Sequence, residues 1–435
     1  MNFKKSMSVL IAVAFSASVA ACGTESTMTQ LPAGTDVNAS AAASKYSKLA
    51  NGAVIEGEMI VKLKPNAKAS NAFKNGESVT ALGGNDTGLL LVKSDSPMTN
   101  MSSNSNILWS EPNRVIKLPK ETTKSADSVK DGVTAVASPL DALFAKQWAH
   151  KNSNSVEGWA LAAKSGKNAN VTIAIVDTGI DAKHPDLKAK ILPGFDAYGK
   201  NQEGEDAQGH GTHCAGIAGA IHNDIGVAGY SVNSNLISVK VLGNDGSGTY
   251  AAVAAGILWA AKSKADIISM SLGGPSTSKA LDDAVALAVK NDKLVAVAMG
   301  NDGNSSVSYP AGTVGSFSVG ATDSADKIAR FSQFGKHCAI SAPGVDIMST
   351  FPTYQSGMPA INYGSISGTS MATPGVAGLA ALVKSVNPSL KAKDIQEILK
   401  KSADDLGDKG WDQYFGAGRI NTLNAVKLAL GQKIK

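Results

Sequence analysis

The stretch Val171-Thr-Ile-Ala-Ile-Val-Asp177-Thr-Gly179 decides the fold of this chain. It begins with a continuous β-branched and apolar run, typical of a strand buried on both faces of a parallel sheet. Similar runs recur, with helical patterns between them, at residues 237–242, 267–272 and 294–299 for the strands and 212–220, 250–262 and 278–290 for the helices. Strands alternating with helices predict an α/β fold, a mostly parallel sheet with helices on both faces.

Unusual polar residues stand where such a sheet binds its ligands, at the carboxyl ends of the strands. Asp177 ends the first strand, and His210 begins a small-residue helix. Ser370 precedes a helical segment, where backbone N–H groups favour developing negative charge. Each residue could be a local cap. Together they predict a nucleophilic triad, in which His210 takes the proton of Ser370 and Asp177 orients the imidazole.

Three blocks carry a resemblance to the subtilisin-like serine proteases. They are Asp-Thr-Gly at 177–179, His-Gly-Thr-His-Cys-Ala-Gly at 210–216 and Gly-Thr-Ser-Met-Ala-Thr-Pro at 368–374, in the chain order Asp, His, Ser. The resemblance spans residues 145–423. The cysteine that follows His213, Cys214, resembles the cysteine at this position in the proteinase K branch of the family. The resemblance implies that the side-chain amide of Asn301 and the backbone N–H of Ser370 bind the oxyanion.

The resemblance also implies a groove for an extended peptide between two Gly-rich segments. An added substrate strand would pair with both segments through main-chain hydrogen bonds. The implied substrate-binding residues are Gly246, Ser247, Gly248, Tyr250, Ser271, Leu272, Gly273, Ala298 and Gly300. Both segments could instead be surface turns. We expect a preference for apolar or large side chains next to the cut bond.

A structural calcium site is a further implication of the resemblance. Its implied ligands mix side-chain and backbone oxygens, a set that suits Ca²⁺; they are Gln147, Asp186, Ile221, Asn223, Ile225 and Val227. The alternative is a loop held by its turns alone.

The N-terminus predicts export. Residues 1–21 combine Lys4 and Lys5 with an apolar run and small residues, the pattern of a signal peptide. The ending Val-Ala-Ala-Cys22 resembles a bacterial lipoprotein box, which implies a lipid on Cys22 and attachment to a membrane. Ordinary signal peptidase cleavage is the alternative, and the run is short for a permanent anchor. Residues 22–50 are polar, small and predicted to be a flexible tether.

Residues 51–120 predict a small α+β domain, with strands at 58–65, 88–93 and 115–118 and a weak helix at 67–73. Its position and its Glu111-Pro-Asn113 motif resemble the propeptide of subtilisin-type proteases, which implies an intramolecular inhibitor. A generic binding domain is the alternative. Residues 121–140 are predicted to be a structureless linker before the peptidase domain at 141–435.

Composition narrows the function classes. The chain has 435 residues, 41 basic and 36 acidic, with no long basic run, so we expect no nucleic-acid partner. Three cysteines make no disulfide framework.

The sequence predicts an exported, monomeric serine endopeptidase made as a self-processing zymogen, which acts on protein substrates through an acyl-enzyme. Two rivals are a non-catalytic binding lipoprotein and an esterase or transpeptidase sharing the first chemical step.

Overall fold

The structure is a computed structural model that describes residues 46–73, 77–95, 98, 101–125, 141–198 and 205–434. The predicted signal peptide, Cys22, most of the predicted tether and residues 126–140 of the predicted linker lie outside the described residues. No helix of the described part has the length and apolar character needed to cross a bilayer.

The N-terminal domain is an antiparallel sheet with one short helix. Its elements are β1 (Val54–Leu63), α1 (Ala69–Ala72), β2 (Ser78–Ala81), β3 (Leu89–Lys93) and β4 (Ile107–Lys117). β1 pairs with β3 on one side and β4 on the other. Tyr46, inside the predicted tether, packs against Ile55 and Val115, so the ordered domain begins earlier than predicted.

Two strands of this domain differ from the prediction. β2 was not predicted, because Ser-Val-Thr-Ala is short and only partly apolar. β4 begins at Ile107 rather than 115 and runs through Pro112. A proline donates no ladder hydrogen bond, so its presence argued against a strand at that point. The pairing of β1 with β4 accommodates it beside a register shift.

The rest of the described chain forms the predicted peptidase domain and the strand that leads into it. The strands are β5 (Thr122–Ser125), β6 (Thr172–Asp177), β7 (Ile191–Asp196), β8 (Asn235–Lys240), β9 (Ser247–Thr249), β10 (Ile267–Met270), β11 (Leu294–Ala298), β12 (Phe317–Thr322), β13 (Ile340–Pro343), β14 (Ile347–Thr350) and β15 (Tyr363–Ser367). The helices are α2 (Trp148–Asn152), α3 (Ser155–Lys164), α4 (His210–Gly219), α5 (Tyr250–Lys262), α6 (Lys279–Lys290), α7 (Thr369–Val386), α8 (Ala392–Ser402) and α9 (Thr422–Ala429). Short 3-10 helices cover Asn85–Thr87, Met101–Ser103, Phe144–Lys146 and Lys188–Lys190.

The central sheet has seven parallel strands in the order β13-β12-β11-β10-β6-β8-β7. The strand order reverses at β6, because the chain builds one side of the sheet with β7 and β8 and then crosses to β10. Asp177 is the last residue of β6. A carboxylate therefore stands at the topological switch point, where α/β sheets bind their ligands.

Both faces of this sheet are buried, as the β-branched sequence predicted. Ile173 and Ile175 of β6 belong to the core that also contains α4 and α7, whereas Ala174 and Val176 belong to the core that contains α5 and α6. Alternate side chains of a strand point to opposite faces, so β6 is covered on both sides. The α/β fold with helices on both faces is confirmed.

The segment that joins the two domains, called the joining segment here, follows β4 and is described only as far as Ser125. Its residues Thr122–Ser125 form a strand, whereas the predicted linker at 121–140 was expected to be structureless. β4 extends the N-terminal sheet onto β9 of the peptidase domain, and β5 pairs antiparallel with β15. Thr122–Ser125 has no apolar alternation. Its extended form depends on a distant partner strand, which local sequence does not reveal.

Candidate active site

Asp177 and His210 form a buried pair at the switch point. His210 is the first residue of α4, and its Nδ1 lies 2.7 Å from Oδ1 of Asp177. The histidine side chain is 0% exposed and the aspartate 1%. A carboxylate bound to Nδ1 directs the other ring nitrogen, Nε2, towards the cleft, which is the arrangement a general base requires.

Nε2 of His210 is occupied by a residue of the joining segment. Oε1 of Glu121 lies 3.2 Å from Nε2, and the Glu121 side chain is only 9% exposed. Burial lowers the pKa of His210, but the negative charges of Asp177 and Glu121 and the hydrogen bond to Asp177 outweigh it and hold this pKa well above its usual value. The protonated imidazole is favoured in this arrangement.

Asp206 positions the two elements that carry the pair. Its Oδ1 accepts hydrogen bonds from Oγ1 of Thr178 at 2.7 Å and N of Gly209 at 2.8 Å. Its Oδ2 accepts from N and Oγ1 of Thr212 at 2.8 and 2.7 Å. The carboxylate therefore ties the turn after β6 to the first turn of α4. The sequence analysis missed Asp206; an acidic residue shortly before Gly209-His210-Gly211 was the available signal.

Ser370 is the second residue of α7. The helix sequence leaves the backbone carbonyl of Ser370 without its usual intrahelical donor. Pro374 lies four residues later and has no N–H, so the usual intrahelical bond to Ser370 O is missing. That oxygen accepts instead from Oγ of Ser271 at 2.7 Å and from Sγ of Cys214 at 3.6 Å. These bonds tie the helix carrying the serine to the strand and helix beside it. Oγ of Ser370 itself donates to Ser271 O over 3.4 Å.

Asn301 presents a directed amide donor beside Ser370. Its Oδ1 accepts from N and Oγ1 of Thr369 at 2.9 and 2.8 Å. This fixes the orientation of the amide, so that Nδ2 points into the cleft, where it donates to Lys120 O at 3.0 Å. The structure thus brings together all the residues predicted for catalysis.

The predicted substrate-binding segments are occupied by the end of β4. Ile116 pairs with Gly248 and Lys117 with Ser247, and N of Leu118 donates to Gly246 O at 3.0 Å. Lys117 also forms a bridge to Gly273. An extended segment lies between the two Gly-rich edges, as a peptide substrate was expected to lie. The other residues predicted to bind substrate include Tyr250, Leu272, Ala298 and Gly300, and all four are buried.

Two carboxylates meet at the predicted calcium loop. Asp186 Oδ2 accepts from N of Val227 at 3.0 Å, and its Oδ1 accepts from Nδ2 of Asn223 at 3.3 Å. Asp141 Oδ1 accepts from N of Asn223 at 2.8 Å, whereas Asp141 Oδ2 is buried and has no hydrogen-bond partner among the residues that the structure describes. Burial raises the pKa of Asp186, and the charge of Asp141 raises it further. Asp141 was not predicted.

Gln147, a predicted calcium ligand, makes other contacts. Its Nε2 donates to Ala228 O at 2.8 Å, and its Oε1 accepts from Ala228 N at 2.8 Å. Both ends of the side-chain amide are therefore used to hold the backbone just after Val227. Ile221 and Ile225 lie in the same loop as Asn223.

The fold and the site together define a class of protein, a hydrolase with a nucleophilic serine on an α/β sheet. A family model of the subtilases, peptidase S8, matches residues 168–418. Thermitase from Thermoactinomyces vulgaris is 40% identical over 291 residues, which are 66% of this chain and 99% of thermitase. Subtilisin DY from Bacillus licheniformis is 43% identical over 269 residues, which are 61% of this chain and 94% of that protein.

A solved structure of a protein related to subtilisin is also similar to this chain in fold. Fervidolysin from Fervidobacterium pennivorans, a keratinolytic enzyme related to subtilisin, aligns with a TM-score of 0.75 and 25% identity over 87% of this chain. The aligned part spans 62% of the fervidolysin chain. The chain belongs to the subtilase family and is a subtilisin-like serine endopeptidase.

Proposed function

We propose that this chain is an exported zymogen whose peptidase domain cuts peptide bonds through an acyl-enzyme on Ser370. The observation that carries the proposal is the 2.7 Å bond between Asp177 and His210, in a cleft where Asn301 already binds a backbone carbonyl. His210 takes the proton of Ser370, Asp177 stabilises the imidazolium, and Asn301 with the N–H of Ser370 binds the oxyanion.

The test compares the full-length protein with a Ser370→Ala twin on casein and on matched peptide and ester substrates. We expect the native chain to degrade casein and hydrolyse the peptide without ligated products, and the twin to lose at least about 10³-fold of this activity. Two inert proteins with native circular dichroism and added Ca²⁺ would favour the binding lipoprotein. Ester cleavage or ligation without peptide hydrolysis would favour the esterase or transpeptidase.

The same cleft supports a role for the N-terminal domain as an intramolecular inhibitor. The end of β4 pairs with Ser247 and Gly248 and bridges to Gly273, so it fills the edges that a substrate strand would use. We assign substrate binding to the residues predicted for it, with main-chain pairing along Gly246–Gly248 and Ser271–Gly273 and the remaining contacts from Tyr250, Ala298 and Gly300. Protein substrates gain access when the domain leaves.

Calcium fits the loop around Asp186 on the chemistry of its donors. An uncompensated buried carboxylate oxygen on Asp141, next to a second buried carboxylate, is costly without a cation. The proposed ligands are Asp141, Asp186 and Asn223 with the carbonyl oxygens of Ile221, Ile225 and Val227. Asp141 replaces Gln147 in this set, because the amide of Gln147 is engaged by Ala228. The ion would stabilise the loop and takes no part in the chemistry.

Export and a lipid on Cys22 remain proposals from the sequence, as does a monomeric state. The Val-Ala-Ala-Cys ending of the signal segment supports lipid attachment. Replacing Cys22 with Ser should move the Ser370→Ala protein from the membrane fraction to the soluble fraction. An unchanged distribution would contradict lipid attachment, and sedimentation of the released peptidase domain would check the monomer.

A further inference from the structure

The joining segment crosses the active site with one peptide bond set between the catalytic groups. We propose that the Lys120–Glu121 bond is the first bond that the protease cuts in its own chain. The proposal rests on the serine-protease function proposed above and adds to it the site of self-processing.

The carbonyl of Lys120 carries the first part of the argument. Nδ2 of Asn301 donates to Lys120 O at 3.0 Å, and Thr369 fixes the amide in that direction. In acyl transfer, negative charge develops on the carbonyl oxygen of the attacked bond, and donors placed at that oxygen stabilise the transition state. The carbonyl that Asn301 holds is therefore the one poised for attack.

Contacts on both sides of the bond fix its position along the cleft. Before it, N of Leu118 donates to Gly246 O. After it, Thr122 pairs with Ser367, the residue before Gly368 at the start of α7. The span 119–121 is thereby stretched across the site. The Lys120 side chain is exposed. We therefore infer that the backbone contacts on both sides, and not the side chain of Lys120, select the bond that is cut.

Glu121 explains how the bond stays intact. Among the described residues, Nε2 of His210 contacts the Glu121 carboxylate, and the hydroxyl of Ser370 donates to Ser271 O instead of the imidazole. A Cβ atom at Gly368 would lie 2.9 Å from Oε1 of Glu121, so the carboxylate is packed closely in this corner. Cleavage requires this side chain to leave Nε2, after which Ser370 can turn towards His210.

The reaction then follows in balanced steps. Ser370 Oγ forms a bond to the carbonyl carbon of Lys120, while His210 Nε2 takes the hydroxyl proton. The C–N bond to Glu121 breaks, and the proton passes from His210 to the leaving nitrogen, which becomes the new amino terminus. Water hydrolyses the ester, which releases Ser370 and leaves a carboxylate on Lys120.

The experiment follows the full-length chain by denaturing intact mass spectrometry from the earliest times after folding, beside the Ser370→Ala twin. We expect the first pair of fragments to end at Lys120 and to begin at Glu121, and the twin to remain whole. The twin is essential, because a host protease that cuts after lysine would cleave both proteins. The earliest times are decisive, because later digestion can shorten either fragment.

The alternative outcomes are distinguishable. A first pair divided at another bond, for example between Pro119 and Lys120, would overturn this inference and leave the proposed function intact. A native protein that degrades casein without cutting its own chain would overturn this inference and the zymogen part of the proposed function, and would leave the peptidase activity intact. A native protein that is folded by circular dichroism and inert towards casein, peptides and itself would overturn both proposals. Cleavage of the twin at Lys120 would show that another protease makes the cut.

Discussion

The carboxylate of Glu121 restrains His210 at the scale of a single hydrogen bond. It occupies the nitrogen of His210 that must accept a proton, and its charge, with that of Asp177, raises the pKa of that histidine against the lowering effect of burial. A raised pKa keeps the imidazole protonated to higher pH, and a protonated imidazole is no base. Self-cleavage should therefore require either higher pH or displacement of Glu121.

Glu121→Gln tests this restraint. Losing a charge-assisted hydrogen bond worth about 1.5–3 kcal/mol should accelerate self-cleavage by roughly tenfold or more, since 1.4 kcal/mol is about a factor of ten. Because removing the negative charge lowers the pKa of His210, the pH–rate profile should also move to lower pH. Timed intact masses across a pH series measure both effects. Glu56→Gln, exposed on β1, is the matched control, and equal profiles for all three proteins would contradict the restraint.

Asn301→Ala tests the oxyanion donor in the processed enzyme. Its Nδ2 is directed into the cleft by Thr369, so its loss should lower kcat by about 10²–10³-fold, the size known for such an asparagine in subtilisin, with KM little changed. Steady-state kinetics on a peptide substrate provide the measurement. Because the variant also processes itself slowly, the enzyme is obtained by removing the N-terminal domain with a catalytic amount of native protease. Unchanged kcat would remove Asn301 from the mechanism.

At the residue scale, the catalytic candidates within the three sequence blocks could be predicted from the sequence. The residues that hold them or complete the proposed calcium loop through hydrogen bonds could not. Asp177, His210 and Ser370 each lie in a block whose local pattern points to chemistry. Asp206 and Asp141 act through partners distant in sequence, such as Thr178 and Asn223. The role of Asp206 depends on buried contacts that only the fold creates, and the role of Asp141 depends on a buried oxygen that the described residues leave without a hydrogen bond.

At the scale of elements, the N-terminal domain caps two helices of the peptidase domain. Glu111 Oε1 accepts from Oγ of Ser278 at 2.6 Å and N of Ala280 at 3.0 Å, at the start of α6. Asn113 Oδ1 accepts from N of Ala251 at 3.1 Å, in the first turn of α5. Both side chains accept hydrogen bonds from free N–H groups at the positive, N-terminal end of a helix. The Glu-Pro-Asn motif thus has a physical reason for its position.

Glu111→Ala should therefore weaken the attachment of the N-terminal domain. In the Ser370→Ala background, which prevents self-cleavage, we expect the free energy of unfolding to fall by about 1–3 kcal/mol, the size of a lost cap with a charged partner. Denaturant titration measures it, and Glu56→Ala is the exposed control on β1. A loss no larger than that of the control would show that the contact contributes nothing to docking.

The bounds of a helix could be predicted accurately where a capping residue lies next to it in the sequence. α5 was predicted at its observed bounds, and it begins after Thr249, whose Oγ1 accepts from N of Ala252. α6 begins after Ser278, which caps it in the same way. β4 and β5 were misjudged because their form comes from pairing with β9 and β15. A strand completed by a distant partner has no such local signature.

At the scale of the whole molecule, the proposed calcium loop links the start of the peptidase domain to its interior. Asp141 stands at the first described residues after the joining segment, and its contact with Asn223 connects that start to the loop after α4. N of Leu143 also donates to Gly226 O at 2.7 Å. An ion held by Asp141 and Asp186 would bridge segments far apart in sequence, and a ligand that binds only the folded state raises the stability of the whole domain.

We therefore expect calcium to stabilise the Ser370→Ala protein, in which self-digestion cannot confuse the measurement. At a free concentration about a hundred times its Kd, the ion should add about 2.7 kcal/mol to the free energy of unfolding, and a chelator should remove this increment. Asp141→Asn should lose most of the calcium response, because the amide takes away one ligand charge. Asp224→Asn, exposed in the same loop, should keep it. Equal thermal midpoints with calcium and with chelator in the parent protein would contradict the site. An Asp141→Asn response equal to that of Asp224→Asn would place the ion elsewhere.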